Sequence, residues 1–507
     1  MMRNRSLVRS SRYVHVLMIQ AGILLLLGGC SLVYSAYSLE AEALIYPACV
    51  SLALVSVWSV FSWNVLTKRS FDPYILFIIA AVLFNGGQAF LEIFHLNDQG
   101  VLKSAFSSET TLQTLFLVTV CLSTFHFGAI LSTLTVRIDD RRREADQETL
   151  IALGRNSRRI GVGLVMISSV PALWNLRQAL ALVISSGYFA LYQRDVVTSF
   201  AATPQVLAGF LVPGGLFLLA SSKNNRSMRL ASVALIVMYS ATQLFLGSRS
   251  AAFLPLFALL WLWHSAIRPL PRSLFIVGGA VLLFVAFPLV AVVRNVTGAN
   301  RSSVDFLVNA YASIDNPAVS AVSEMGGTMG TIAHTINLVP SYRNYDMGVG
   351  YLYALLTAIP NLFWSIHPTI AHGLPSSWLV WTIDPQTAAH GGGLGYSFIA
   401  EAYLNFGWLG GPLFLGFIGF LYGKLILWAV PSSNPAKLAM VAVFLSFFLF
   451  YVRQEAASQI RSLLWYAVLP YICVNLLERR IPHKRPTRTQ RATVTTSVRG
   501  ATFQEQR

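Results

Sequence analysis

The feature that most limits how this chain can fold is a succession of apolar runs, each about 20 residues long, joined by short charged connections. A helix rises about 1.5 Å per residue, so about 20 residues cross the hydrocarbon core of a bilayer. Inside lipid every backbone N–H and C=O must be satisfied within the protein, which leaves helices or closed barrels. Barrel strands are short and alternate apolar with polar residues. These runs are continuous, so the spans are helices. Only 11% of the 507 residues are charged, against about a quarter in soluble domains. The expected fold is all-α, polytopic and integral to a membrane.

We place about twelve spans. The first, from about 14 to 36, is too long for a signal-peptide core and lacks a clear cleavage site, so it reads as a retained span. The formal charge of +16 would suggest nucleic acid in a soluble protein. In a polytopic chain, Lys and Arg mainly mark the cytoplasmic ends of spans, and no nucleic-acid partner is expected. Arg3, Arg5, Arg9 and Arg12, the arginine-rich segment from Arg137 to Arg159, and the basic tail all fall on one side. Both termini are therefore expected in the cytoplasm. The resulting organisation is nine spans in 1–293, one large periplasmic loop in 294–395, three spans in 396–478 and a disordered basic tail in 479–507. All four cysteines lie inside apolar runs, so neither a disulfide framework nor a Cys-x-x-Cys metal site is expected. No HExxH, Walker or GxGxxG pattern stands out, and no metal or cofactor is expected.

Four arginines break the charge rule. Arg249, Arg294, Arg453 and Arg461 stand at the outer ends of spans, where the bias should exclude them. Ionisable groups beside membrane segments are costly and point to function. A guanidinium is permanently charged and gives paired hydrogen bonds to phosphate oxygens, so the four together could hold a lipid diphosphate. Taken singly, each could equally be snorkelling toward headgroups.

The loop carries apolar helix-compatible runs broken at Pro317, Pro340 and Pro360, with Trp364, Trp378 and Trp381 among further prolines. Trp and Tyr favour the membrane interface. Short helices lying on the outer leaflet and roofing the arginines are expected. The loop closes with HGGGLGYSFIAEAYLNFGWLGG, His390 to Gly411. Its glycines allow close backbone approach to a ligand. Ser397, Glu401 and Asn405 recur every four residues and should share one helical face near the outer end of a span. Glu401 and His390 are the candidate general bases. The plainer readings make Glu401 an ion-pair partner of Arg453 or Arg461, and His390 an ordinary loop histidine.

These segments resemble the O-antigen polymerase family, the Wzy-type oligosaccharide repeat-unit polymerases of bacteria. The resemblance lies in GSRSAAF at Gly247, VVRN at Val292, SEMGGTMGTIAHTINLVP at Ser323 and GVGYLYALLTAIP at Gly348. It continues in the Gly391–Gly411 segment and in RQEAASQIRSLLW at Arg453. The first half matches only as generic spans. The resemblance implies a metal-independent, GT-C-like membrane glycosyltransferase of the bacterial inner membrane. It would transfer a growing glycan from undecaprenyl diphosphate onto the next lipid-linked repeat unit at the periplasmic face. A chain-length regulator and a flippase would be its partners. On that reading Arg249, Arg294, Arg453 and Arg461 bind diphosphate, Glu401 or His390 accepts the hydroxyl proton, and Tyr403, Asn405, Trp378 and Trp381 contact sugar. The same arginines would also serve an O-antigen ligase, which would differ in its acceptor groove. A lipid-oligosaccharide flippase or other transporter fits less well, since transporters place charges at the bilayer midplane.

Overall fold

The computed structural model describes residues 2–37, 39–98, 100–135, 147–191, 203–294, 303–361 and 364–479. Among them no strand occurs, and twelve helices are long and apolar enough to cross a membrane, from Ser11–Tyr37 to Ala456–Arg479. The expectations for the tail beyond residue 479 and for the first part of the Arg137–Arg159 segment fall outside the described residues.

Local chemistry starts and stops these helices. The Pro73–Ile93 helix opens with Asp72, whose Oδ1 accepts from Tyr74 N at 3.0 Å, and with Pro at the first position. Both features suit an N-terminus, because the first turn has N–H groups without intrahelical partners. Asn434 does the same for the Pro435–Phe448 helix. The Arg226–Leu246 helix ends at Gly247, whose φ of 88° lets the chain turn left-handed and begin the next span within three residues.

At the centre, the Ser108–Thr135 helix packs against the Phe398–Ala429 helix at backbone contact. A β-carbon on Gly128 would lie 1.8 Å from the Gly416 carbonyl oxygen, and one on Gly419 would lie 2.0 Å from that of Phe125. Lipid offers no hydrophobic drive between helices, so small residues that admit such close packing are what hold spans together.

The Phe398–Ala429 helix is broken at Gly407, which has φ 67° and ψ −159°. A straight helix would separate Phe398 from Tyr422 by about 36 Å. Both rings instead pack on Phe77, with centroids at 5.9 and 5.4 Å. The first segment therefore dips inward and doubles back at Gly407. The start of this helix, expected near an outer membrane face, lies deep in the protein.

Seven short helices lie between Arg294 and Phe398 among the described residues. Two of them pack closely against the spans. Pro317–Gly326 presses on the Pro73–Ile93 helix so tightly that a β-carbon on Gly326 would lie 2.8 Å from Gln88 N. In Met329–Leu338, Met329, Ile332 and Ala333 are fully buried. These two helices are wedged among the spans because their apolar faces find protein rather than lipid. Val349–Leu356, by contrast, leaves Leu352 and Leu355 exposed.

Candidate active site

The extended glycine-rich segment after His390 runs along a short turn, Tyr451–Arg453, that ends one of the last spans. Tyr396 N donates to the Arg453 carbonyl oxygen at 3.1 Å. One buried amide locks the arrangement. Asn85, on the Pro73–Ile93 helix, accepts from Ser397 Oγ at 2.6 Å and donates through Nδ2 to the Val452 carbonyl at 3.1 Å. Ser397 Oγ in turn accepts from Ile399 N and so starts the re-entrant helix. Glycine segment, turn and helix start are thus fixed to a single side chain.

Beside this junction lies a cavity of about 1600 Å³. Arg249, Arg453, Glu455, Ser376, Gly391–Gly393 and Gly395 line one end of it. From there it runs as a groove between the Pro73–Ile93, Arg249–Ile267 and Arg272–Val290 spans, walled by apolar side chains such as Ile79, Leu83, Phe257 and Leu282. Its far end reaches His264, Arg272, Lys68 and Arg69. Arg249 to His264 along one helix is about 22 Å, so the groove extends through most of a bilayer's hydrocarbon thickness. Arg249, with a side chain only 12% exposed, is ion-paired to Glu324 of the wedged Pro317–Gly326 helix at 2.9 Å.

Sequence comparison decides what kind of protein carries this groove. The family model of O-antigen polysaccharide polymerase Wzy matches residues 16–485, nearly the whole chain. The chain belongs to that family. No curated protein and no solved structure matches it. It is an O-antigen polymerase, a multi-pass inner-membrane enzyme that acts on lipid-linked oligosaccharide repeat units.

The structure sorts the residues that the sequence singled out. Of the four arginines, Arg249 and Arg453 both line the groove. Arg461 is exposed in the last turn of the Ala456–Ser462 helix and is not among the residues lining the groove. Arg294 ends a helix, and its side chain falls outside the described residues. Glu401 is 2% exposed, and both its carboxylate oxygens accept from Ala456 N, at 3.1 and 2.9 Å. It caps the start of the last span instead of facing the groove, because the doubling back at Gly407 carries it into the interior. His390 is exposed at the head of the glycine run, with Nδ1 2.7 Å from the Gln386 carbonyl.

The expected sugar contacts divide in the same way. Tyr403 is buried, with its hydroxyl donating to the Val339 carbonyl at 3.1 Å. Asn405 is fully buried and donates to the Glu401 carbonyl at 2.9 Å. Neither presents a surface to a glycan. One face of Trp378 is covered by the Arg343 guanidinium, 4.6 Å from the ring centroid, and Arg343 is held by both carboxylate oxygens of Asp346. Trp381 is 56% exposed and keeps its ring available.

Two residues that hold this region together do not stand out among the sequence motifs. Asn85 stands in an apolar run as Asn-Gly-Gly-Gln, and a polar group at that depth is itself a functional signal. Glu455 follows Arg453 by two positions and is 4% exposed. Its carboxylate accepts from Ser376 N, Ser376 Oγ and Ser458 Oγ at 3.0–3.2 Å. Burial raises its pKa above the usual glutamate range, against the opposing effect of those hydrogen bonds from Ser376 and Ser458. Glu455 thereby ties the Pro375–Ile383 helix to the arginine turn. Among the described residues no three His, Cys, Asp or Glu side chains gather in a group that could hold a metal ion.

Proposed function

We propose that this polymerase transfers a growing glycan from undecaprenyl diphosphate onto the next lipid-linked repeat unit, in GT-C-like fashion and without a metal. Arg249 and Arg453 hold the diphosphate, and the polyprenyl tail lies along the groove. The observation that carries this reading is the continuity of the groove: two guanidiniums at one end open directly onto an apolar channel as long as a span. A lipid diphosphate has that same division between a doubly charged head and a long hydrocarbon tail.

In the reaction an acceptor hydroxyl oxygen attacks the anomeric carbon of the donor sugar. The bond from that carbon to the diphosphate oxygen breaks, and the electron pair leaves on the diphosphate. Guanidiniums fixed at that oxygen stabilise the charge as it develops, which is where preorganised donors contribute most. The acceptor proton passes to His390. If Nδ1–H is donated to the Gln386 carbonyl, Nε2 becomes the basic nitrogen. The Lys and Arg bias toward the opposite ends of the spans supports a periplasmic site and cytoplasmic termini.

The test is binding of sugar-free polyprenyl diphosphate to the purified protein in nanodiscs. Arg453→Lys and Arg249→Lys should each weaken it about tenfold or more, since an ammonium cannot reproduce the paired contact. Binding equal to that of the parent would refute the assignment.

A further inference from the structure

A second, smaller pocket of about 320 Å³ lies on the other face of the glycine-rich segment. Gly393 and Gly395 line the groove, whereas Leu394 between them lines this pocket. The wedged loop helices repeat the relationship, with Met325 facing the groove and Gly327 the pocket. One thickness of backbone therefore separates the two spaces. Resting on the donor-site reading above, we infer that this pocket is a subsite for the acceptor glycan, taking a sugar ring of the incoming repeat unit beside His334 and Asp384.

The chemistry of the lining separates this pocket from the groove. No Lys or Arg is found among its described lining residues, so it offers nothing to a diphosphate. It offers hydrogen-bonding groups of the kind a polyol needs. Asp384 Oδ1 accepts from Thr387 N at 2.9 Å. Hydrogen bonds from Thr387 hold this exposed carboxyl below the usual range, so it stays an ionised acceptor. His334 packs edge-on against Phe106, with ring centroids 4.7 Å apart. Burial lowers its pKa, which keeps the imidazole neutral, with one nitrogen donating and the other accepting. A carboxylate and a neutral imidazole match neighbouring hydroxyls on a sugar. The volume is at the lower limit for small-ligand sites, about 300 Å³, which suits one ring rather than a whole repeat.

The position also meets a requirement of the reaction. A polymerase must hold two glycans at once, one ending at its diphosphate and the other offering a hydroxyl. The groove accounts for the first. A pocket without cationic side chains, on the far side of the same backbone, accounts for the second, and the lack of side chains at Gly391–Gly393 and Gly395 keeps the barrier between them thin.

Gly330 gives a steric test. It lines the pocket from within the Met329–Leu338 helix, and a β-carbon there would meet nothing closer than Val101 Cγ2 at 3.9 Å. Gly330→Phe should therefore fill the pocket without straining the backbone. The experiment uses the full chain in nanodiscs with two probes, sugar-free polyprenyl diphosphate and the lipid-free repeat oligosaccharide released from the cell's own precursor. His334→Ala and Gly330→Phe should each weaken oligosaccharide binding about tenfold or more, the scale of one or two lost buried hydrogen bonds, while the diphosphate binds as in the parent. Oligosaccharide binding unchanged in both variants would overturn the inference. Loss of both probes would also overturn it, since the pocket would then support the fold rather than a sugar. Failure of the donor reading would look different: Arg249→Ala and Arg453→Ala would bind the diphosphate like the parent, whatever the oligosaccharide does.

Discussion

The α-carbon of Gly395 is pressed against Arg453 so closely that a β-carbon would lie 3.0 Å from Nε and 3.1 Å from Cγ. The residue also has φ +73°, a conformation that costs an L-residue about 1–2 kcal/mol. The guanidinium is thus aimed by the absence of a side chain opposite it. Gly395→Ala should displace Arg453 and reduce glycan polymerisation about tenfold or more, with a stability loss of only about 1–2 kcal/mol. The ladder of surface glycan, together with a thermal melt of purified protein, reads both effects. A normal ladder would show that the position of Arg453 does not matter.

Asn85 joins Ser397 to Val452 through one amide. Asn85→Leu leaves a buried hydroxyl and a buried carbonyl without that partner, at about 1–3 kcal/mol each. Both activity and melting temperature should fall. Asn85→Asp keeps an acceptor for Ser397 and loses the donor to Val452 once ionised, so it should be intermediate at low pH and worse when ionised. Equal melting temperatures for all three proteins would remove Asn85 from this role.

Glu324 competes with any phosphate for Arg249. The pair is partly exposed and contributes no more than about 1 kcal/mol to stability, so Glu324→Gln should fold normally. Freed of the competing carboxylate, Arg249 should bind polyprenyl diphosphate several-fold more tightly in a titration at fixed ionic strength. Weaker binding would place the glutamate on the ligand side of the site.

Glu401→Gln separates capping from catalysis. The amide oxygen can still accept from Ala456 N, so polymerisation should stay within about tenfold of the parent, while Glu401→Leu should destabilise the start of the last span. Complete loss of polymer in a well-folded Glu401→Gln protein would restore this carboxylate as the general base.

Asp72, in the connection before the third span, gives a pH signature. Burial pushes its pKa from 3.8 up to about 6, against hydrogen bonds from Tyr74 N and Trp63 Nε1 and the charge of Arg69. Its Oδ2 is buried with no hydrogen-bond partner among the described residues. Because the folded protein holds the proton more tightly than the unfolded chain does, the contribution is fully present below about pH 4 and lost as pH rises through about 6. Its size is about 3 kcal/mol for a two-unit shift. The melting temperature should therefore fall across that window. Asp72→Asn, which keeps the Oδ1 acceptor, should flatten the curve, and an unchanged slope in the variant would assign the effect to another group.

Much of the fold was legible because a membrane makes it a one-dimensional problem. Bilayer thickness sets the length of each apolar run, and the expected number of spans agrees with the twelve helices long enough to cross. Arg249 and Arg453 were legible for a related reason, since charge at the wrong end of a span stands out without any knowledge of packing. Asn85 and Glu455 were harder to see. Each is a single polar letter whose importance comes from a partner far away in sequence.

The chain by itself determined its all-helical membrane character, its family and two of the arginines at the groove, since run length, motif order and charge position are local properties. Only the tertiary structure decided that Gly407 turns the re-entrant segment back, sending Glu401, Tyr403 and Asn405 inward. It also brought Arg249 and Arg453 to the same groove while leaving Arg461 outside, and placed Leu394 on a second pocket. Those outcomes depend on how several helices pack around one another. A helical period records which residues share a face, but the neighbour that covers that face is chosen by close backbone contacts such as Gly419 on Phe125, which no single segment encodes.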